Sequence, residues 1–324
     1  MDFKLRVLVY LFIALLFVLQ VRFGIFYRPE FRPRTLAEIE RSAGDLSVLD
    51  KKARRAYSSG GMFEPIEYEK LNGSAWLKSH YEPGQTFDEF AASYGGADEK
   101  RNRLYLLPLG EFTSETSILM DKLKLYCSIF FNMPCEIMKP ADFKFRSRIN
   151  SHTGKPQLLT GDIIKAMNKL LPADAYAMLA LTMTDLYPVS SWNFVFGQAS
   201  LTGRVGVYSL ARYDPEFFGR KREADYQRIL LERSLKVMAH ETGHMFYMYH
   251  CVFYKCLMNG SNSLVETDMT PMFLCPACLR KLSHAVKFDP VVRYGRMLEF
   301  FEANGLGTSA VWLKKRIEYI NMPE

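Results

Sequence analysis

Three features of this 324-residue chain predict an α/β layer structure. Apolar runs of strand length alternate with segments whose apolar residues recur at helical spacing. One of those runs, residues 175–183, is apolar almost throughout, as a strand buried on both faces must be. A single long helical stretch, 223–247, follows the last strand. With 48% hydrophobic and 24% charged positions the chain can bury a sizeable core, which excludes disorder as its main theme. The 42 Lys and Arg against 35 Asp and Glu give a net charge of +7, yet the basic residues are spread and form no dense, aromatic-interleaved patch. A nucleic-acid partner is therefore not expected.

The elements follow in order. Residues 1–27 are a hydrophobic segment: 7–21 carry no charge between Arg6 and Arg22, and Lys4 and Arg6 precede them, the pattern of a signal anchor or signal peptide. No small-x-small pair follows, which favours an uncleaved anchor and membrane association through residues 7–27, with Arg22 snorkelling at one end. A buried N-terminal helix is the other reading. Lys4 and Arg6 on one side stand against Arg22, Arg28, Arg32 and Arg34 on the other, so the bulk of the protein is expected to face the cytosol. A secreted or lumenal placement is the alternative.

Residues 28–61, with Arg-Pro pairs and Ser58-Ser59-Gly60-Gly61, read as a linker or loosely packed helical arm. The globular part, 62–295, is predicted to hold a strand from 103 ending at Pro108, a helix over 114–131, a strand at 135–138 and a helix over 161–171. The buried strand 175–183 follows, then β-like 192–196 and 204–210, separated by a polar, glycine-containing loop at 197–203. Residues 296–324 form a helical tail.

The long helix carries the chemistry. His240-Glu241-Thr242-Gly243-His244 sets two imidazoles about 40° apart around the axis and about 6 Å apart along it, facing one point. Two ligands for one Zn²⁺ result, and Glu241 on the same turn is placed as general base toward a zinc-bound water. His250 lies six residues beyond His244; a continued helix would carry it about 240° away, so the helix must break for His250 to complete a three-histidine site. Four of the six cysteines fall between Cys251 and Cys278. Cys251-x4-Cys256 and Cys275-Pro276-Ala277-Cys278 are two thiolate pairs suited to a closed four-thiolate zinc site, with disulfides or free buried thiols as the other readings. Cys127, Cys135, His80, His152 and His284 read as structural or exposed. Asn72-Gly-Ser and Asn259-Gly-Ser fit the glycosylation pattern.

Read as HETGHMFYMYHC-x4-C-x-M-x16-CPAC, residues 240–278 resemble the signature of the archaemetzincins, or archaelysins, a branch of the metzincin zinc peptidases. Residues 74–90, with Trp76-Leu77 and Gly84-Gln85-Thr86-Phe87, resemble that family too, as do 184–188, 192–197, 205–212 and 279–282, so the likeness spans roughly 62–295. It implies a metzincin-like mixed sheet with an antiparallel edge strand, a backing helix, the HExxH active-site helix and a small zinc-stapled C-terminal part. It further implies a zinc metallopeptidase with two Zn²⁺, catalytic at His240, His244 and His250 with Glu241 as base, structural at Cys251, Cys256, Cys275 and Cys278. Met258 matches the Met-turn residue. The substrate would be a peptide or protein lying along an edge strand, for which 205–210 is the expected segment. Tyr247 departs from the family pattern, which has Gly three residues after the second histidine to permit φ > 0. A non-glycine residue there costs about 1–2 kcal/mol, and its phenol would narrow the cleft beside the metal. The alternative function, which Tyr247 favours, is a catalytically inactive zinc-binding scaffold of the same fold. A nucleic-acid module built only on the cysteines would explain none of the upstream residues.

Overall fold

The computed structural model describes residues 32–323 apart from 95, 96, 98, 99 and 142, so the hydrophobic segment at 7–27 lies outside the described residues. Among the described residues no helix is long and apolar enough to cross a membrane. The strands are β1 (Arg103–Leu109), β2 (Cys135–Ile137), β3 (Ser147–Ile149), β4 (Pro156–Leu159), β5 (Ala175–Thr182), β6 (Asp185–Tyr187), β7 (Gly197–Ala199) and β8 (Val205–Ser209). The longer helices are α1 (Ser114–Phe131), α2 (Thr160–Leu170), α3 (Tyr226–Met245), α4 (Pro276–Val286), α5 (Pro290–Ala303) and α6 (Gly307–Asn321).

The main sheet runs β2-β1-β5-β8-β7, parallel except for β7, which pairs antiparallel with β8. Strand periodicity splits the interior into two layers. Ala177, Leu179 and Leu181 of β5 face a core shared with α1 and α3, whereas Met178 and Ala180 face a second core closed by Ile163 and Met167 of α2. The strand is buried at every position, as its unbroken apolar sequence requires.

Three expectations need correcting. The segment 205–210 is not an edge: β8 lies between β5 and β7, and the edge is β7, drawn from residues expected to form a loop. Pairing with β8 overrides the weak β-propensity of Gly197-Gln198-Ala199, while 192–196 contribute only an isolated bridge from Val195 to Leu186. Pro108 does not end β1. It still pairs with Leu181 of β5 and its carbonyl accepts from Ala141 N, while its missing N–H falls on the β2 side, where that strand stops at Ile137.

The arm is not loose either. Helices Leu36–Arg41 and Lys51–Ala56 place Ile39, Ala56 and Tyr57 in the main core. What draws them in is Arg316 of α6, fully buried, whose guanidinium donates to the carbonyls of Arg55, Ala56, Ser58 and Ser59 at the end of the second of these helices. A cation at a helix C-terminus satisfies carbonyls that have no partner within the helix.

Candidate active site

Helix α3 packs on β5, β7 and β8 and carries His240, Glu241 and His244. It ends as the spacing of His250 demands. Phe246 is the C-cap, Tyr247 adopts φ 63°, Tyr247 N donates to His244 O at 2.9 Å and Met248 N to Gly243 O at 3.2 Å. These two bonds make a Schellman turn. It reverses the chain and brings His250 back, so that one ring nitrogen of each of His240, His244 and His250 lies within 4.8 Å of the others. Tyr247 therefore pays the left-handed cost. Its ring packs edge-on against Tyr94 at 6.3 Å and is absent from the cleft wall, so the expected narrowing of the cleft does not occur. Tyr247→Phe is expected to leave hydrolysis unchanged. Tyr247→Gly should shift the melting temperature little, because relief of the αL strain is offset by lost ring packing and greater unfolded-state freedom. A drop in kcat for Tyr247→Phe would place the phenol in the chemistry after all.

The ring orientations are set by hydrogen bonds. His240 Nδ1 lies 2.9 Å from Leu257 O and His244 Nδ1 lies 2.7 Å from Met248 O. Carbonyls only accept, so both Nδ1 atoms carry the proton and both Nε2 atoms present lone pairs. Burial pushes the His240 imidazole down to about 3 and holds His244 well below its usual range, so neither is cationic at neutral pH. Yet the two Nε2 atoms are 3.0 Å apart. Two facing lone pairs at that distance repel unless a cation lies between them, and the donor set is that of Zn²⁺. His250 Nδ1 meets Glu82 Oε1 at 2.6 Å, which leaves its Nε2 to the same point.

Glu241 is buried, and burial pushes its carboxyl up to about 8; a dication held by the neighbouring histidines would pull it back toward the carboxylate. The carboxylate lies against the edge strand, where a Cβ on Gly197 would stand 2.6 Å from its Oε1. Gly197→Ala should therefore displace Glu241, lowering kcat on the order of 10²-fold with zinc content unchanged. Wild-type kcat in that variant would show the contact to be unimportant. Gly243, between the histidines, plays a matching role: a Cβ there would stand 2.6 Å from Sδ of Met258, which is fully buried.

The site opens into a cleft of about 650 Å³ whose apolar lining includes Trp76, Trp192, Phe194, Phe196 and Val237. His80 is stacked on Trp76 at 3.6 Å and reaches Trp192 at 6.0 Å, two of the rings that line the cleft.

Below the site, Cys251, Cys256, Cys275 and Cys278 are all buried, with their sulfurs within 4.8 Å of one another. The Cys251 and Cys275 sulfurs are 3.6 Å apart, far from the roughly 2.05 Å of a disulfide and near the roughly 3.8 Å edge that a Zn–S bond of about 2.3 Å implies for a tetrahedron. Burial pushes the Cys256 and Cys275 thiols up, whereas hydrogen bonds from Cys256, Cys275 and Cys278 hold Cys251 down against its own burial. Asn259 clasps the loop between the first pair. Its Oδ1 accepts from Cys256 N at 2.7 Å and its Nδ2 donates to Cys251 O at 2.8 Å and Tyr254 O at 3.0 Å. A glycan on that nitrogen would remove one of its two donors, so the geometry gives Asn259 a part in holding the cysteine loop. Sequence reasoning missed this role, and it missed Glu82 and Gly197 as well.

The profile of Peptidase family M54 matches residues 160–284. Archaemetzincin-2 of Rattus norvegicus is 35% identical over 295 residues, covering 81% of each chain. The chain belongs to the archaemetzincin family. Archaemetzincin-2 of Homo sapiens is 34% identical, over 81% of this chain and 80% of its own. The crystal structure of archaemetzincin from Methanopyrus kandleri is 28% identical and covers 59% of this chain and 99% of its own, with a TM-score of 0.46. As an archaemetzincin the protein is a zinc metallopeptidase, and its convergent histidines and its clustered cysteines are the two groups of side chains among the described residues placed to hold a metal ion.

Proposed function

We propose that the protein hydrolyses peptide bonds with Glu241 as general base, at a centre where His240, His244 and His250 hold one Zn²⁺ while Cys251, Cys256, Cys275 and Cys278 hold a second, structural one. The observation that carries this is the 3.0 Å approach of two Nε2 lone pairs whose Nδ1 partners are fixed. Zinc, when held there, supplies Lewis acidity that lowers the pKa of water to about 7 and polarises a carbonyl. Glu241 takes a proton from the attacking water at a carboxylate oxygen and returns it to the departing amine nitrogen as the C–N bond breaks. Its burial beside Gly197 keeps bulk water from competing for that proton.

The substrate docks on β7. Phe196 O and the N–H of Ser200 bond to β8, so by alternation the backbone groups of Gly197 and Ala199 point into the cleft, where an extended peptide adds as a further strand. The inactive-scaffold reading loses its ground, since the Tyr247 ring lies against Tyr94 and away from the cleft. The test measures zinc content together with hydrolysis of a peptide library by the wild type and by Glu241→Gln. Turnover that survives complete removal of zinc would sink the proposal.

A further inference from the structure

We propose that Glu82 is a positioning residue for the third histidine, and that residues 74–85 are thereby a working part of the metal centre. This rests on reading His240, His244 and His250 as zinc ligands. His240 and His244 are oriented by backbone carbonyls at most 17 positions away. His250 is different. It sits on an irregular segment beyond the left-handed turn, and its Nδ1 meets a side-chain carboxylate 168 positions upstream at 2.6 Å. A carboxylate on the outer nitrogen fixes the tautomer, fixes the ring plane and makes Nε2 a better ligand.

The carboxylate is itself held. Trp76 Nε1 donates to the same oxygen of Glu82 at 2.6 Å, and the Trp76 ring meets His250 edge-on at 5.2 Å. Upstream, Trp76 N donates to Glu266 Oε1 at 2.9 Å, and Asn262 Nδ2 donates to Ser74 O at 3.1 Å. Downstream, Gln85 Nε2 donates to Tyr247 O at 3.1 Å, and Gln85 Oε1 accepts from Tyr249 N at 3.3 Å. Gly84 passes so close to Val252 that a Cβ would stand 2.5 Å from its Cγ2. The segment is thus fastened on either side of Glu82 to the stretch that presents His250 and to the loop beyond the cysteine pair. Simple packing of an upstream segment would not require a charged, nearly buried carboxylate to end on the outer nitrogen of one histidine.

The test titrates the full zinc-loaded chain with a chromophoric chelator and reads the dissociation constant of the more labile zinc in wild type, Glu82→Ala, Glu82→Gln and Trp76→Phe. Glu82→Ala should weaken that site about 10–100-fold, leave the tighter zinc in place and alter the visible spectrum of the Co²⁺-substituted protein. Glu82→Gln keeps an oxygen acceptor and should retain most of the affinity. Trp76→Phe, which frees the carboxylate without removing it, should give a smaller loss. Equal dissociation constants in wild type and Glu82→Ala would overturn the role of Glu82 alone. So would a Gln variant as weak as the Ala variant whose chelated form melts correspondingly lower, since that pattern means lost packing. A wild type that takes no metal at the histidines would overturn the ligand reading itself.

Discussion

Changing Glu241 to Gln is expected to lower kcat by about 10²–10⁴-fold while zinc content stays at the wild-type level. The amide matches the carboxylate in shape, so Gly197 still accommodates it and the helix turn bearing His240 and His244 is undisturbed. What is lost is the ability to take and return a proton. A buried carboxyl whose titration is pushed up to about 8 by desolvation is a costly group in the metal-free fold, so the neutral amide should melt no lower than the wild type once both are stripped by chelator. Steady-state kinetics with metal analysis on the same samples decides the matter. A kcat within tenfold of wild type, or zinc lost along with the carboxylate, would mean that Glu241 has been given the wrong part.

The second large effect concerns stability. Cys275→Ser or Cys278→Ser should leave the chain unfolded at 37 °C, whereas His250→Ala should abolish hydrolysis and keep the fold. The binding energy of a closed thiolate site is folding energy, about 10–16 kcal/mol for zinc-finger sites, as large as the whole stability of an ordinary domain. All four cysteines sit in the main core, so a missing ligand leaves buried sulfurs that must either take up protons or stay as thiolates without a full set of partners around the metal. Chelator should accordingly remove one zinc quickly with the circular dichroism intact, and the second only as the protein unfolds. A Cys275→Ser protein with the wild-type melting curve would refute a structural metal.

The grouping of the candidate ligands was legible because it rests on local spacing. A separation of four positions between His240 and His244 fixes a shared helix face, and Cys-Pro-Ala-Cys opens a helix with Pro in its first turn. The break before His250 could be inferred from angle alone, and the buried strand at Ala175–Thr182 from its unbroken apolar run. Illegible were the parts that partners impose. Gly197-Gln198-Ala199 has no strand signature and becomes β7 only beside β8. The small sheet β3-β4-β6 is built from residues such as Ser147, Arg148, Gln157 and Asp185, whose polarity reads as loop. Arg316 reads as a surface charge on a tail, and Glu82 as one carboxylate among many. No local pattern marks a side chain whose partner is 168 positions away.

The Arg316 clasp bears on the order in which the chain folds. It joins Ser58 to a guanidinium 258 positions later, with both candidate ligand sets inside the loop it closes. At translation rates of about 5–20 residues per second, the arm must wait roughly 13–52 s before its counterpart is even synthesised. Throughout that interval Ile39, Ala56 and Tyr57 lack part of the core that buries them in the finished protein. Local helices and the cysteine turn can form early, but docking of the arm is a late, long-range event with a large sequence separation, the kind of contact that slows folding and exposes apolar surface to chaperones. A truncation that removes α6 should therefore betray itself first in the arm, by protease cleavage near residues 50–60, well before the metal centres are affected.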